Sequence, residues 1–399
     1  MSGAILTLNA GSSSLKFALF NSEGEMAEAV RGEIENLDDT PLFRAFGTNG
    51  KLLAEQLWPP NSKPGFDETL SIMLDFAENH LGGSGLAAVG HRIVHGGADH
   101  IAPALVTPEL LGSLEKLTPL DPLHMPHNLA PIRTIAAALP SLAQVACFDT
   151  AFHHTLPPVA RQMALPREIT ETGIRRYGFH GLSYEYISGC LQKQLPDLAR
   201  GRVIAAHLGA GASLCALKNG ISIATTTGFS ALDGLAMATR CGRLDPGVLL
   251  YLGTQGYSFK DIEDMLYRRS GLAGVSGISG DVRVLLASDD PHARAAIELF
   301  TYQIACEAGA LTSALGGLDG LVFTAGIGEH APAIRAAVCD RLTWLGLHLD
   351  ASANTANAAC ISTPDSRIAV HVIPTNEEAM IARHSRDIYL SHLAQEKPQ

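Results

Sequence analysis

"AILTLNAGSSSLKFALFNSEG" (residues 4–24) and "RVIAAHLGAGASLCALKNG" (residues 202–220) decide the fold of this chain. Each reads as a strand, a turn of small residues and a second apolar strand. Each then reaches an Asn/Gly turn, "NSEG" at 21–24 or "KNG" at 218–220, of the kind that favours β-hairpins. Leu8, Ala10, Gly11 and Ser13 match Leu208, Ala210, Gly211 and Ser213 at an offset of 200 (211 − 11). Two similar hairpins half a chain apart predict two related domains, although short Gly/Ala/Ser strings also recur by chance. Such turns can aim backbone N–H groups at a phosphate. Yet no helix follows either turn, and the P-loop pattern G-x-x-x-x-G-K-[ST] is absent. The expected arrangement is two turns that face an interdomain cleft and grip opposite parts of a polyphosphate.

Beyond the hairpins, strand-like runs at 87–95, 143–150, 320–326 and 367–373 alternate with helical periodicity at 67–81, 127–139, 261–269, 291–315 and 377–390. Strands alternating with helices predict an α/β architecture. The length of 399 residues suggests two or three domains, and 46% hydrophobic with 17% charged residues supports large cores rather than disorder. A net charge of −11 argues against a general nucleic-acid surface and against anionic membranes. It leaves room for a local anion site built from a few placed Arg and Lys residues. The seven cysteines are scattered without a C-x-x-C pair, as in a reducing compartment. No stretch of about 18 apolar residues occurs, and "MSGAILTLNA" lacks a basic n-region, so a soluble cytoplasmic protein is expected.

Polar residues gather at the ends of apolar runs, where an α/β sheet presents its ligands. "GHRIVHGG" (90–97) carries Arg92, "PLDPLHMPHN" (119–128) carries His124, and "ACFDTAFHHTLP" (146–157) carries Asp149. "RRYGFHGLSYEY" (175–186) presents His180 between glycines, and "GLAMATRCGRLDPG" (234–247) holds Arg240. "FTAGIGEH" (323–330) is a strand that runs into a Gly-rich bend, and "IPTNEEAM" (373–380) opens a helix with Glu377 and Glu378. Taken singly, each has a plainer reading. Arg92 could pair with a structural carboxylate, Arg240 with Asp233 or Asp245, and Asp281 with Arg283 at the surface. His124 could satisfy loop backbone, Asp149 could cap a turn, Asn9 could stabilise its own turn, and Lys16 could guard a strand edge. Glu377 could simply suit a helix start.

In this order, "LNAGSSSLKF", "HRIVHGG", "CFDTAFH", "RRYGFHG", "HLGAGAS", "GLAMATRCGRLDPG", "SGLAGVSGISGDVR", "FTAGIGE" and "IPTNEE" closely resemble the acetate kinase family. The motifs run from residue 8 to about 380. The resemblance implies two duplicated domains of the actin-like ATPase (ribonuclease H-like) fold with an interdomain catalytic cleft. The expected division is 1–150, joined by the terminal helix at about 377–399, and 151–376 as the nucleotide-binding domain. It implies reversible phosphoryl transfer from ATP to acetate, giving acetyl phosphate and ADP. A propionate or butyrate kinase, or an ATP-driven binding module of the same superfamily, are the alternatives. It also implies a homodimer and a magnesium ion, with manganese possible, near Asn9 and Glu377.

By the same resemblance, Asp149, His180 and Arg240 are catalytic, and Arg92, Ile93, His124, Leu123 and Phe179 form the substrate site. Lys16, His207, Leu208, Gly209, Ala210, Gly211, Asp281, Val282, Arg283, Gly326, Ile327, Gly328, Glu329 and His330 are implied at ATP. The residue types suit the chemistry, since a carboxylate attacking ATP brings two anions together and needs forked cations to offset the repulsion. Acetate carries no proton to remove at pH 7, so Asp149 is expected to orient magnesium or its waters rather than act as a base. Ala210 and His330 stand where the family usually has Asn. Ile93 replaces Val, and Ala231 replaces Pro. The first pair is expected to alter nucleotide contacts and the second to adjust the acyl pocket, where one methylene is worth about 1–3 kcal/mol.

Overall fold

The computed structural model describes residues 3–396 except 12, 13, 23, 25, 38, 60–63, 83 and 84. Ser13 of the repeat, Glu23 of its closing turn and residues 397–399 of the expected terminal segment lie outside the described residues. The chain divides into two compact units, Met1–Phe152 with Asn376–Gln399, and His153–Thr375.

The first unit carries β1 (Ala4–Ala10), β2 (Leu15–Asn21), β3 (Glu28–Glu35), β4 (Leu42–Gly47), β5 (Leu52–Leu57), β6 (Leu86–Ile93), β7 (Ala104–Leu105) and β8 (Ala143–Phe148). They form one sheet in the order β5-β4-β3-β2-β1-β6-β8-β7. Its helices include α1 (Phe66–Leu81) and α2 (Met125–Ala138). The second unit holds β9 (Arg202–Leu208), β10 (Ala212–Lys218), β11 (Ile221–Thr225), β12 (Gly320–Thr324) and β13 (Ala369–Val372), in the order β11-β10-β9-β12-β13.

Both hairpins form as read. Ala10 pairs with Leu15 at the mouth of the first and Leu208 with Ala212 at the mouth of the second. The resemblance between the halves extends further than the hairpins. The run β3-β2-β1-β6-β8 and the run β11-β10-β9-β12-β13 share one plan, antiparallel for the first two pairings and parallel for the last two. Strands β1, β2, β9 and β10 are buried on both faces, which is why they read as continuous apolar runs. The sequence reading passed over β3, β4 and β5, because Arg31, Glu33, Glu35, Arg44 and Glu55 interrupt their apolar pattern. The charges face one another across the ladder instead, with Arg44 directly opposite Glu33 and Glu55.

In the second unit, helix α3 (Gly181–Gln194) packs on β9, and the 25-residue helix α4 (Pro291–Leu315) covers β10. Asp290 caps α4 by accepting from the His292 N–H at 2.7 Å, and Gly316 ends it in the left-handed conformation. Short helix α5 (Ala325–His330) follows β12 directly, and α6 (Pro332–Asp340) follows α5. The last helix, α7 (Glu377–Glu396), belongs to the first unit and packs on β1, β6 and β8. Gly90 of β6 permits that packing, since a Cβ there would lie 2.1 Å from Ser385 Oγ and 2.6 Å from Ile381 Cγ2. This close approach seats α7 on β6.

Two buried imidazoles give the protein a predictable acid sensitivity. Burial pulls His91 down to about 4 against the opposing bond from Gln144, and does the same to His153 against the Phe179 carbonyl. Between pH 6.5 and 4 the unfolded chain takes up protons that these native histidines refuse, so stability falls as pH falls through that window. The shift amounts to roughly 3 kcal/mol for each histidine. Urea unfolding at pH 7, 5.5 and 4.5 should show the decline, and His91→Asn should flatten it. An unchanged slope in the variant would mean that His91 does not carry the effect.

Candidate active site

In both units the polar residues converge at the carboxyl ends of the parallel strands. In the first unit, β1 delivers Asn9, β6 delivers Arg92, and Asp149 follows the end of β8. The β1–β6 register sets Leu8 beside His91, which brings Asn9 next to Arg92. Arg92 Nη1 donates to Asn9 Oδ1 at 3.0 Å, and its Nη2 and Nε donate to Asp149 Oδ2 at 2.5 and 3.1 Å. Glu377, at the head of α7, places Oε2 3.7 Å from Arg92 Nε. Asp149 is 1% exposed, so its charge depends on Arg92 for compensation. Lys16 stands directly across the hairpin from Asn9.

The electrostatics of this cluster are lopsided. Burial first, then the nearby Asp149 and Glu378 carboxylates, push Glu377 up to about 7 against the pull of Arg92 and Lys16. Burial opposes the Arg92 charge, but Asp149 and Glu377 hold its guanidinium above its ordinary value. The structural carboxylate pair that sequence alone left open for Arg92 is therefore present, and it is Asp149.

His124 is the residue before α2, and its Nδ1 lies 2.8 Å from Asp121 Oδ1. Asp121 is 2% exposed, and sequence reasoning missed it, as it missed Asn128. Asn128 donates to the Ala10 carbonyl and accepts from the Val94 N–H, both at 2.8 Å, and so ties the end of β1 to the segment after β6. The three-residue spacing of Asp121 and His124, and the polar Asn128 one helical turn further on, were the available signals. Ile93 sits fully buried among Leu114, Met125, Leu129 and Ile132, whereas Leu123 is half-buried.

In the second unit, His180 precedes α3 in a left-handed conformation, φ 59°, rare for a side chain without special support. Its ring stacks on His207 at 4.3 Å, and its Nδ1 lies 2.8 Å from Ser213 Oγ. His207 Nδ1 lies 2.8 Å from Ser183 Oγ. The turn holding Gly209, Ala210 and Gly211 closes through the Gly209 N–H on the Gly211 carbonyl at 2.9 Å, next to the buried Leu208. A Cβ on Gly211 would come within 3.0 Å of His180 Nε2, so the glycine keeps the turn against that ring.

Arg240 Nη1 donates to the Ala231 carbonyl at 3.2 Å. Of the carboxylates suggested for it from sequence, Asp233 pairs with Arg176 at 3.2 Å and Asp245 caps the helix Pro246–Thr254. Phe179 is buried, and its N–H donates to Thr227 Oγ1. Asp281 caps the short helix Val282–Leu286 and takes Arg283 Nη2 at 2.7 Å, with Val282 buried and Arg283 91% exposed. That is the surface pair which sequence left open.

Gly326, Ile327, Gly328, Glu329 and His330 form α5, which Ala325 enters at φ 63°. Glu329 Oε1 accepts from the Thr375 N–H at 3.1 Å, and exposed His330 lies 3.8 Å from Glu329. Buried Arg335 underpins this segment, a residue that no local pattern marked. Its Nη1 donates to the Gly328 and Glu329 carbonyls at 2.9 and 2.8 Å.

The repeated five-strand plan, with polar residues at its carboxyl ends, is that of the actin-like ATPase and sugar-kinase fold, and the chain is a kinase of that class. More narrowly, it belongs to the acetokinase family, which matches residues 4–383 and whose members transfer a phosphoryl group from ATP to a carboxylate. An acetate kinase from Rhodopseudomonas palustris is 53% identical over 395 residues, covering 96% of this chain and 98% of that protein. One from Nitrobacter hamburgensis is 48% identical over 390 residues, covering 97% and 96%. Among solved structures, a propionate kinase from Francisella tularensis superposes with a TM-score of 0.90 at 36% identity, covering 97% of this chain and all of that one. An acetate kinase from Porphyromonas gingivalis gives 0.85 at 34%, covering 97% and 99%. Among the described residues no helix is long and apolar enough to cross a membrane.

Proposed function

We propose that the protein catalyses reversible, magnesium-dependent phosphoryl transfer from ATP to acetate, in the cytoplasm and as a homodimer. Beyond family membership, the observation that carries this reading is the setting of Arg92. A guanidinium held by Asn9 and Asp149 at the carboxyl ends of three strands, and still 21% exposed, suits an anionic acceptor. His124 and Leu123 complete the acceptor side, with Phe179, and Lys16 serves the phosphates. His180 and Arg240 stabilise the transferring phosphoryl group, and His207, the 208–211 turn, Asp281, Val282, Arg283 and α5 hold the nucleotide. The division into two compact units supports a two-domain scheme. Asp149 orients rather than deprotonates, because both of its oxygens accept from Arg92.

The donor set fits a hard divalent cation. Three carboxylates, Asp149, Glu377 and Glu378, face two cations, Arg92 and Lys16, and burial first, with the like charges after it, raises Glu377. No three His, Cys, Asp or Glu among the described residues form a closed metal cage. Magnesium needs none, since it takes one or two carboxylates and completes its shell with waters and substrate phosphates. Asn9 and Glu377 would hold it, and manganese suits the same oxygens. What the ion supplies there is neutralisation of phosphate charge.

Support for the homodimer comes from the helix Pro246–Thr254, "PGVLLYLGT", of which no residue is buried. Leu250, Tyr251 and Phe259 are 75%, 62% and 94% exposed, an apolar surface of the kind that marks an interface. Changing Leu250 and Phe259 together to Glu should turn a dimer into a monomer in sedimentation. A monomeric parent protein would rule this surface out as a dimer contact.

Propionate is the second acceptor to weigh, since a propionate kinase is among the structural relatives. The first experiment is acyl-phosphate formation, trapped as hydroxamate, from MgATP with acetate, propionate or butyrate in parallel. Product that depends on acetate supports the reading, and a higher kcat/KM with propionate moves the assignment to that acid. ATP hydrolysis with no acyl phosphate would overturn it in favour of a binding module.

A further inference from the structure

We propose that Tyr184 and Ser213 form a relay that fixes His180 as the neutral tautomer with its proton on Nε2, which makes them positioning residues for phosphoryl transfer. The inference rests on the reading that His180 meets the transferring phosphoryl group.

Two bonds set the direction of the relay. Tyr184 Oη lies 2.5 Å from Ser213 Oγ, and Ser213 Oγ lies 2.8 Å from His180 Nδ1. Tyr184 and Ser213 are both fully buried, so each hydroxyl hydrogen must find an acceptor inside the protein. If Nδ1–H donated to Ser213, the serine hydrogen would turn to Tyr184. The phenol hydrogen would then have no acceptor, because Ser213 Oγ is the hydrogen-bond partner of the Tyr184 hydroxyl among the described residues. In the opposite sense every group is satisfied. Tyr184 donates to Ser213, Ser213 donates to Nδ1, and the imidazole proton is left on Nε2.

The surroundings use that arrangement. His180 Nε2 faces the glycine turn, where a Cβ on Gly211 would come within 3.0 Å. An N–H there is a donor aimed at the place where an anion meets the turn. The His207 ring is stacked on His180 at 4.3 Å and 15°, and it sets a second titratable group against the first. A relay that makes Nδ1 an acceptor keeps His180 a neutral donor beside that ring. The neighbouring Ser183 hydroxyl meets His207 and Thr375 instead.

The test begins with the 15N spectrum of the ligand-free protein labelled at histidine, with the His180 signals assigned by their loss in His180→Asn. Protonated Nε2 with bare Nδ1 is the expected pattern, and a proton on Nδ1 overturns the relay whatever the enzyme catalyses. In Tyr184→Phe, Ser213 is free to turn and accept from Nδ1, so the other tautomer should appear. Its kcat should fall about five- to tenfold, the size of one neutral hydrogen bond, with both KM values within about twofold. Ser213→Ala should lower kcat to a similar extent. A Tyr184→Phe protein that keeps the parent spectrum and kcat overturns the proposal. Unimpaired turnover in His180→Asn would instead overturn the role given to His180 itself, which the spectrum does not test.

Discussion

Arg92→Ala is expected to lower kcat/KM for the acceptor acid by about a thousandfold while the KM for ATP changes only a few-fold. The guanidinium divides its donors between Asn9 and Asp149, and a side chain without donors holds neither partner and attracts no carboxylate. A second loss follows from the same bonds. Asp149 is 1% exposed, so removing Arg92 leaves a buried carboxylate without compensation, at a cost of about 3–5 kcal/mol in stability. The two effects can be separated. In a protein that carries both Arg92→Ala and Asp149→Asn, the stranded charge is gone, so urea unfolding should recover most of the stability while turnover stays low. Normal KM values for both substrates in Arg92→Ala, with only stability reduced, would make Arg92 a structural residue. Arg92→Lys is a weaker probe, because one ammonium does not reproduce the fork.

The second large effect lies away from the reacting groups. Arg335 is fully buried, and each of its five N–H donors has an uncharged oxygen to meet. Nε and Nη2 reach Asn354 Oδ1, the Asn354 carbonyl and Asn357 Oδ1, while Nη1 holds the Gly328 and Glu329 carbonyls. Arg335→Met matches the volume of the chain but strands those oxygens. A loss of about 3–5 kcal/mol is expected, comparable to breaking a buried charged network. Because two of the stranded carbonyls belong to α5, the KM for ATP should rise more than the KM for acetate. Arg335→Lys should fare little better, since an ammonium spans only part of the five-donor geometry. Thermal unfolding and the two KM values in parallel check both statements. A destabilised variant with an unchanged ATP KM would detach Arg335 from the nucleotide.

The fate of individual residues shows which physical signals lie within reach of a sequence. The hairpins at 4–21 and 202–218 were legible because a strand pattern and a small-residue turn are local properties. Helix α4 was legible to the residue, since Asp290, Pro291 and Gly316 mark its ends as clearly as its periodicity marks its body. By contrast, β3, β4 and β5 were missed because their charges are satisfied by strands that local pattern does not place beside them. The motif residues were marked by type and position, but their partners were not. Arg92 meets Asp149 across 57 residues and Asn9 across 83, and Asn128 reaches Ala10 across 118. Ile93 was marked by its motif, but its neighbours Leu114 and Met125 were not placed beside it by any local pattern. His180 and Ser213 were each marked by sequence, one as a catalytic candidate and the other as a repeat position, yet nothing local joined them through Tyr184.

By itself the sequence determined the α/β class, the duplication of the hairpin and the residue types that serve an anionic substrate. These follow from turn chemistry, apolar period and charge, each of which acts over a few residues. Only the tertiary structure decided that α7, expected in the first domain, packs on β6 at Gly90, that Asp149 is the counter-charge of Arg92, and that Arg335 braces α5. Those outcomes depend on strand order and on close approaches such as Gly90 against Ser385, which no local propensity encodes. They are settled when distant segments bury one another and every polar group taken out of water must find a partner.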